Sequence, residues 1–475
     1  MRTQRLEAGA EIDGFRLVER LGKGGMASVW RTEHPDHTLP LVLKIPLLDP
    51  GEDVSVIIGY ETEEMVLKRL SGPHVPRFIA SGDLARTPYI AMEFVAGESV
   101  ADRLAGAPLQ HDAVAAIGAG IARALVSIHR QKVAHLDLKP ENVILNPRGT
   151  VLIDFGLARH AELPDLLTED MNVIKGSPAY MAPEQVLGIR SDPASDIFAL
   201  GSILYQLATG EEPFGRPTTT AGMRRRLYHA PPPPRSLNAN VPRWLQAVIV
   251  KCMEVDRGRR YADAAEVLFD LTHPDQVPVA APAKPKGGWL DRLAGLFARP
   301  DDRALIGRSA ASRGAFGPTI VLAAVDLATG AEPLAAAVLA ETARLVSSRP
   351  DSRLACLSVL KGEALGLPEV ADEAGRSLFV ERLVTLKHWA RPLDLPEERI
   401  SFHVIEATDP ADAILAFCEH NEVGHIVVGA RGSSALRRHL GSVSAKVVAE
   451  APCSVSVVRV KNAAADNAGA DRAPR

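Results

Sequence analysis

The sequence predicts two folded domains of different classes: an α+β domain, followed by an α/β domain built on a doubly wound, mostly parallel sheet. Over residues 12–273, strand-like alternation of apolar residues comes first and long helical periods follow. Over residues 318–460, buried-strand runs such as "TIVLAAVD" alternate with helical segments such as "PLAAAVLAETARLV". The composition between them, at 274–317, becomes rich in Pro, Ala and Lys and predicts an extended linker.

The linker also contains a short helical pattern. Trp289, Leu293 and Phe297 fall on one face of it. Its polar face has no basic cluster, which favours docking on a neighbouring domain over binding to a membrane surface. Residues 461–475 are small and polar, and we expect them to be disordered.

Composition excludes several classes of function. The 475 residues carry a formal net charge of −4, which gives no reason to expect nucleic acid as the main partner. No run of about 18 apolar residues is present, so we predict no membrane span. The N-terminus has no apolar core of a secretory signal. The four cysteines are widely spread, which fits a reduced, cytoplasmic chain rather than a disulfide framework or a zinc site.

The stretch "LGKGGMASVW", Leu21 to Trp30, lies between two strand-like runs and predicts a glycine-rich hairpin. Gly22, Gly24 and Gly25 would let backbone amides approach a triphosphate without a side-chain clash. Taken alone, the motif favours a plain turn, because many hairpins carry glycines.

A lysine follows inside an apolar strand, Lys44 in "LVLKI". Burial of its ammonium group is unfavourable unless an anion meets it. The downstream helix "ETEEMVLKRL" offers Glu63 as the partner, with Glu61 and Glu64 as rivals that the pattern does not separate.

Two further motifs bring acids and an amide together: "HLDLKPEN", His135 to Asn142, and "DFG", Asp154 to Gly156. Metal-assisted phosphoryl transfer requires a carboxylate beside the acceptor hydroxyl and oxygen ligands for Mg²⁺. These residues supply both.

In this order and spacing the motifs resemble a bacterial Hanks-type serine/threonine protein kinase over residues 12–273. The resemblance implies a bilobal kinase fold with ATP and Mg²⁺ as cofactors. It also implies that Asp137 accepts the substrate proton, that Lys139 lies near the γ-phosphate, and that Asn142 and Asp154 hold Mg²⁺. Nucleotide-binding positions implied in the same way are Leu21, Gly22, Gly24, Gly25, Val29, Lys44, Glu63, Met92, Glu93 and Val95. Structural positions implied in the same way are Asp196, which would anchor the catalytic loop, and Glu184 paired with Arg260.

Leu136 departs from most members of the family, which have an arginine that pairs with a phosphorylated activation loop. A leucine cannot form that pair. The sequence therefore resembles the non-RD subset of kinases, whose activity need not wait for loop phosphorylation. We accordingly expect Thr168 and Ser177 not to be simple on-switches.

The second domain resembles a universal stress protein. Members that bind ATP use a G-x2-G-x9-G-S/T motif; here Gly429, Gly432, Gly441 and Ser442 match it with a final gap of eight residues, one short. Asp326 matches an acid beside the nucleotide in that family. The alternative is that these glycines serve only packing. The resemblance also implies a homodimer formed through the last strand, "CSVSVVRV", with docking of this domain on its own kinase domain as the rival arrangement.

Together these observations predict a non-specific serine/threonine protein kinase. It would transfer the γ-phosphate of ATP to protein substrates, and its C-terminal domain would sense stress or dimerise. A scaffold that uses the kinase fold only for docking, a pseudokinase, and a small-molecule phosphotransferase are the alternatives. The presence of Lys44, Asp137, Asn142 and Asp154 favours catalysis, and "GSPAYMAPE" resembles a platform for a peptide substrate.

Overall fold

The computed structural model describes residues 6–23, 26–48, 54–170, 175–278, 319–362, 377–430 and 441–460. Three of the predicted site residues, Gly24, Gly25 and Gly432, lie outside these ranges. The linker helix predicted around Trp289 and the tail at 461–475 lie outside them as well.

The chain begins with an antiparallel sheet in the order β1-β2-β3-β4-β6-β5. Along β4, alternation places Leu41, Leu43 and Ile45 in an apolar cluster on one face and leaves Lys44 for the opposite face. This first lobe consists of β1 (Glu11–Ile12), β2 (Phe15–Lys23), β3 (Ala27–His34), β4 (His37–Pro46), α1 (Ser55–Leu67), β5 (Phe78–Ser81) and β6 (Ile90–Glu93).

A mainly helical lobe follows, in which α3, α6, α9 and α10 pack around a large apolar core. Its strands are β7 (Glu98–Ser99), β8 (Val133–Ala134), β9 (Val143–Asn146), β10 (Gly149–Leu152) and β11 (Arg159–His160). Its helices are α2 (Val100–Leu104), α3 (His111–Arg130), α4 (Leu166–Asp170), α5 (Pro183–Val186), α6 (Ala194–Thr209), α7 (Thr220–Arg224), α8 (Pro234–Leu237), α9 (Arg243–Cys252) and α10 (Ala264–Thr272). Short 3-10 turns occur at Pro140–Asn142, Arg225–Leu227, Arg257–Arg259 and Pro274–Gln276.

Among the described residues one helix, α3, is long and apolar enough to cross a membrane by length and composition. The sequence predicted no such span. Half of the apolar window of α3 is buried inside the protein, and the helix packs against α6 and α10. A core helix has the same length and composition, so this feature is weak evidence for a membrane segment.

The second domain is a parallel sheet in the order β14-β13-β12-β15-β16. Along β12, Val321 and Ala323 face one apolar layer, and Leu322 and Ala324 face the other. Its strands are β12 (Ile320–Ala324), β13 (Arg353–Lys361), β14 (Ile400–Ala407), β15 (His425–Gly429) and β16 (Ser454–Val458). Its helices are α11 (Glu332–Ser348), α12 (Leu378–Ala390), α13 (Pro410–His420) and α14 (Ser442–Glu450), with 3-10 turns at Arg391–Leu393 and Glu397–Arg399.

This architecture confirms the predicted α/β class, with helices on both faces of the sheet. The sequence analysis did not identify helix α12. That helix and strand β14 lie against α1 and α4 of the first domain, so the two domains are in contact.

Candidate active site

A three-member ion cluster lies in the cleft between the two lobes of the first domain. The Nζ atom of Lys44 is 2.6 Å from a carboxylate oxygen of Glu63 and 2.8 Å from one of Asp154. Burial alone would lower the pKa of Lys44, but these two carboxylates raise it. The charge of Lys44 in turn lowers the pKa of Asp154 to about 2. The cluster therefore presents both a fixed cation and a fixed anion at neutral pH.

The orientation of α1 about its axis makes Glu63, of the three candidate acids, the partner of Lys44. Its carboxylate is 2% exposed and points into the cleft. Glu61 and Glu64, the two rivals, have other partners: Glu61 pairs with Lys387 of the second domain, and Glu64 lies 2.8 Å from Lys68, which caps the C-terminus of the helix. Three acids within four residues thus have three different partners.

The loop at 135–142 holds Asp137 at the mouth of the cleft. One oxygen of Asp137 accepts hydrogen bonds from the amide and the hydroxyl of Ser177, at 2.9 and 2.8 Å. The other oxygen lies 3.0 Å from the Nζ of Lys139. Both carboxylate oxygens are thereby oriented. The side-chain amide of Asn142 donates to the carbonyl of Asp137 at 3.0 Å, which ties the end of the loop to its centre.

Asp196, at the start of α6, holds the backbone of this loop through hydrogen bonds. Its two oxygens accept hydrogen bonds from the amides of His135 and Leu136, each at 2.8 Å. The Nε2 of His129 is also 2.8 Å away. Since Asp196 is fully buried, it satisfies two buried amides that would otherwise be unpaired.

Leu136 adopts a left-handed conformation, with φ of +61°. Its side chain is 3% exposed, and its carbonyl accepts a hydrogen bond of 2.7 Å from the side-chain amide of Gln185. Leu136 is therefore an apolar residue at a conformationally constrained position. Its side chain supplies no charge to the residues between Asp154 and Glu184, which we call the activation segment.

A cavity of about 550 Å³ opens between these groups. The predicted residues that line it are Val29, Lys44, Glu63, Asp137, Lys139 and Asp154. Six other predicted residues in the described ranges, Leu21, Gly22, Met92, Glu93, Val95 and Asn142, are not part of this lining. Met92, for example, is buried and pairs with Val42 in the sheet. Lining residues that sequence reasoning missed include Tyr60 of α1, Leu167 of α4 and Lys175. The latter two belong to the activation segment, for which no local sequence signal indicated a position in the cleft.

The donor set fits a hard divalent cation. Asp154 supplies an ionised carboxylate and Asn142 an amide oxygen, which are ligands typical of Mg²⁺. In the described residues no cluster of three or more His, Cys, Asp or Glu side chains offers another metal site.

A buried ion pair fastens the end of the activation segment to the helical lobe. The guanidinium of Arg260 contacts both oxygens of Glu184 at 2.8 and 3.0 Å, and both side chains are 0% exposed. Ser195 donates a further hydrogen bond to Glu184. This is the pairing that the resemblance implied.

A second cavity, of about 430 Å³, lies at the carboxyl ends of the parallel strands. It is lined by Asp326, Gly429, Gly441 and Ser442, as the sequence predicted, and by two cations that it did not, Lys361 and Arg382. A Cβ atom at Gly429 would lie 2.7 Å from the side chain of Leu334. That glycine therefore has a packing role whether or not a ligand binds.

Comparison with known proteins gives two family matches. Residues 15–270 match the model of the protein kinase domain, and residues 319–459 match that of the universal stress protein family. The probable serine/threonine-protein kinase PknB of Lactococcus lactis is 32% identical over 262 residues, which are 54% of this chain and 42% of that protein. The serine/threonine-protein kinase PknB of Mycolicibacterium smegmatis is 31% identical over 302 residues, 62% of this chain and 48% of that protein.

The chain thus spans less than half the length of these two curated relatives. Among solved structures, the kinase domain of Mycobacterium tuberculosis PknI is similar, with 24% identity and a TM-score of 0.45, over 56% of this chain and 99% of that one.

Proposed function

This chain belongs to the protein kinase family and carries a C-terminal universal stress protein domain, and we propose that it is an ATP-dependent protein serine/threonine kinase. The observation that carries the proposal is the convergence in one cleft of Lys44, Glu63, Asp154 and Asp137, with hydrogen bonds that orient both oxygens of Asp137. The four cysteines are free thiols, which supports a reducing, cytoplasmic setting.

In the proposed mechanism Lys44, held by Glu63, binds the α- and β-phosphates of ATP. Asp137 accepts the proton of the substrate hydroxyl, and Lys139 stabilises negative charge near the γ-phosphate. Asn142 and Asp154 would hold Mg²⁺, which neutralises phosphate charge when bound. The test is transfer of label from γ-labelled ATP to a generic protein acceptor. A purified, folded chain that transfers none would refute the proposal.

We propose further that the kinase is of the non-RD type, since Leu136 is apolar and buried. The hydroxyl of Thr168 is already bonded to Asp165 at 2.7 Å. Phosphatase-treated enzyme and the Thr168→Ala variant should therefore each keep roughly half or more of the untreated activity. Thr272→Ala, at an exposed position of α10, is the matched control. An enzyme that is inactive without phosphate at Thr168 would contradict this assignment.

We propose that the cavity of the second domain binds a phosphate-bearing nucleotide. Lys361, Arg382 and the N-terminus of α14 line this cavity and would favour a phosphate group. Arg382→Gln should weaken binding of an ATP analogue at this site about tenfold. Equilibrium dialysis on full-length Lys44→Met protein, in which the kinase site is weakened, measures it. Arg344→Gln, an exposed arginine of α11 paired with Glu341, is the control. Equal affinity of the Arg382 and Arg344 variants would show that the cavity does not use its cations in this way.

A homodimer through β16 is proposed because this strand ends the sheet order and pairs only with β15 among the described strands. The opposite edge strand, β14, faces the kinase domain, so docking within one chain leaves β16 accessible. Sedimentation of the full-length chain at roughly 50 μM should give twice the monomer mass. A monomer at that concentration would rule the dimer out.

A further inference from the structure

The activation-segment helix α4 ends in two acids that are met by cations of the second domain. The imidazole of His403, on β14, lies between them: its Nε2 is 3.0 Å from Glu169, and its Nδ1 is 2.6 Å from Asp170. Arg353, on β13, pairs with Glu169 as well, and the hydroxyl of Ser401 donates to the same carboxylate at 3.1 Å.

These charges are buried in the contact. His403 is 0% exposed and Glu169 is 7% exposed. Burial alone would lower the pKa of His403, but the carboxylates of Asp170 and Glu169 raise it to about 10, so the imidazole is a cation at neutral pH. A buried charge that loses its partner is strongly destabilising. When the domains separate, the two acids lose these cations and become exposed to water, and α4 loses the ion pairs that hold its C-terminal end.

Helix α1 is covered by the same domain. Glu61, which is 6% exposed, pairs with Lys387 of α12. Ile57, one turn earlier, lies in the apolar cluster that contains Leu383 and Leu386 of α12. Almost every residue of α1 from Ser55 to Glu63 is buried. A helix that is buried on every side has no face for solvent. The sequence of this part of α1 therefore suits a position in which the second domain covers it.

The two docked helices also pack on each other, because Leu166 and Leu167 of α4 form a small core with Ile58 of α1. Glu61 and Glu63 are separated by about 200° of helical rotation. One therefore faces the second domain while the other faces Lys44. The second domain, α4 and the Lys44–Glu63 pair are thus joined through a single rigid helix.

From these contacts we infer that the universal stress protein domain is an activator of its own kinase domain. It binds α1 and α4 and holds them where Glu63 meets Lys44. Because position 136 is a leucine, it provides no positive charge to pair with the activation segment. His403 and Arg353 of the second domain provide positive charge to that segment instead, through Glu169 and Asp170. The inference rests on the proposed kinase function.

A charge reversal at the exposed part of the interface tests it in the full-length, phosphatase-treated chain. Lys387→Glu should speed amide hydrogen exchange about tenfold in peptides that cover 55–67 and 166–170, and should lower phosphoryl transfer about tenfold. The double variant Glu61→Lys with Lys387→Glu re-forms the pair and should restore both. Lys446→Glu is the matched control, because the side chain of Lys446 is 33% exposed against 37% for Lys387 and, in the part of the chain that the structure describes, its ion pairs are with Asp409 and Asp412 of its own domain.

Four outcomes are informative. Faster exchange with lower transfer, rescued in the double variant, supports the inference. Faster exchange with unchanged or increased transfer overturns it, since the domain is then neutral or inhibitory. Unchanged exchange in Lys387→Glu also overturns it, because the contact is then not formed in solution. A wild-type chain that transfers no phosphate refutes the proposed function instead, and exchange still decides whether the domains dock.

Discussion

Replacement of Asp137 by Asn is expected to lower phosphoryl transfer by about 10²–10⁴-fold while the fold remains intact. The amide has the size of the carboxylate, so the hydrogen bond from the amide of Ser177 can persist. It has no basic oxygen to accept the substrate proton, however, and it removes the negative charge opposite Lys139. The loss therefore falls on the chemical step rather than on packing.

The measurement is the initial rate of label transfer from ATP to a protein acceptor, together with the affinity for a non-hydrolysable nucleotide. Asp36→Asn is the matched control, since its side chain is 84% exposed and lies outside the cleft. The nucleotide affinity should change little in both variants. If Asp137→Asn retained a near-normal rate, Asp137 would not be the acid/base residue.

Replacement of Arg260 by Ala is expected to lower the stability of the first domain by about 3–5 kcal/mol, the range for breaking one side of a buried ion pair. Arg260 contacts both oxygens of Glu184 and also donates to the carbonyl of Ala194 at 2.8 Å. Burial raises the pKa of Glu184, but the charge of Arg260 and the hydrogen bonds from Arg260, Ser195 and the backbone together lower it below its ordinary value, so the acid is ionised in the native state. Without Arg260 a charge remains buried and loses its cation.

Denaturation by urea, followed on the full-length chain, measures this loss as a shift of the first-domain transition to lower urea concentration. The neighbouring variant Arg259→Ala removes an arginine that is 75% exposed and should shift the transition by less than about 0.5 kcal/mol. Equal shifts in the two variants would mean that the Glu184–Arg260 pair does not stabilise the lobe.

Local patterns in the sequence were sufficient for the classes of both domains. Apolar runs marked buried strands such as β12, and the resemblance to universal stress proteins marked Asp326 and Gly429, which line one cavity. Short motifs were equally informative where their residues are close along the chain. Asp137, Lys139 and Asn142 lie within six residues, so their proximity needs no long-range contact.

The chain segments that the patterns missed depend on contacts between distant residues. Helix α12 was not identified from the sequence. Two of its residues were therefore not predicted: Arg382, which lines the second cavity, and Lys387, which pairs with Glu61 of α1. The sequence analysis assigned no role to the two acids that follow Thr168, whereas Glu169 and Asp170 are buried against a histidine more than 230 positions away.

Periodicity and motif spacing are properties of neighbouring residues, and they were enough to predict the two fold classes and the residue types of the cleft. The tertiary packing was needed to show which acid of α1 meets Lys44. All three candidates have the same chemistry, and successive residues of a helix are rotated by about 100°. Which of them faces the cleft depends on how α1 packs between the sheet, α4 and the second domain, and that packing is set by surfaces from three separate parts of the chain.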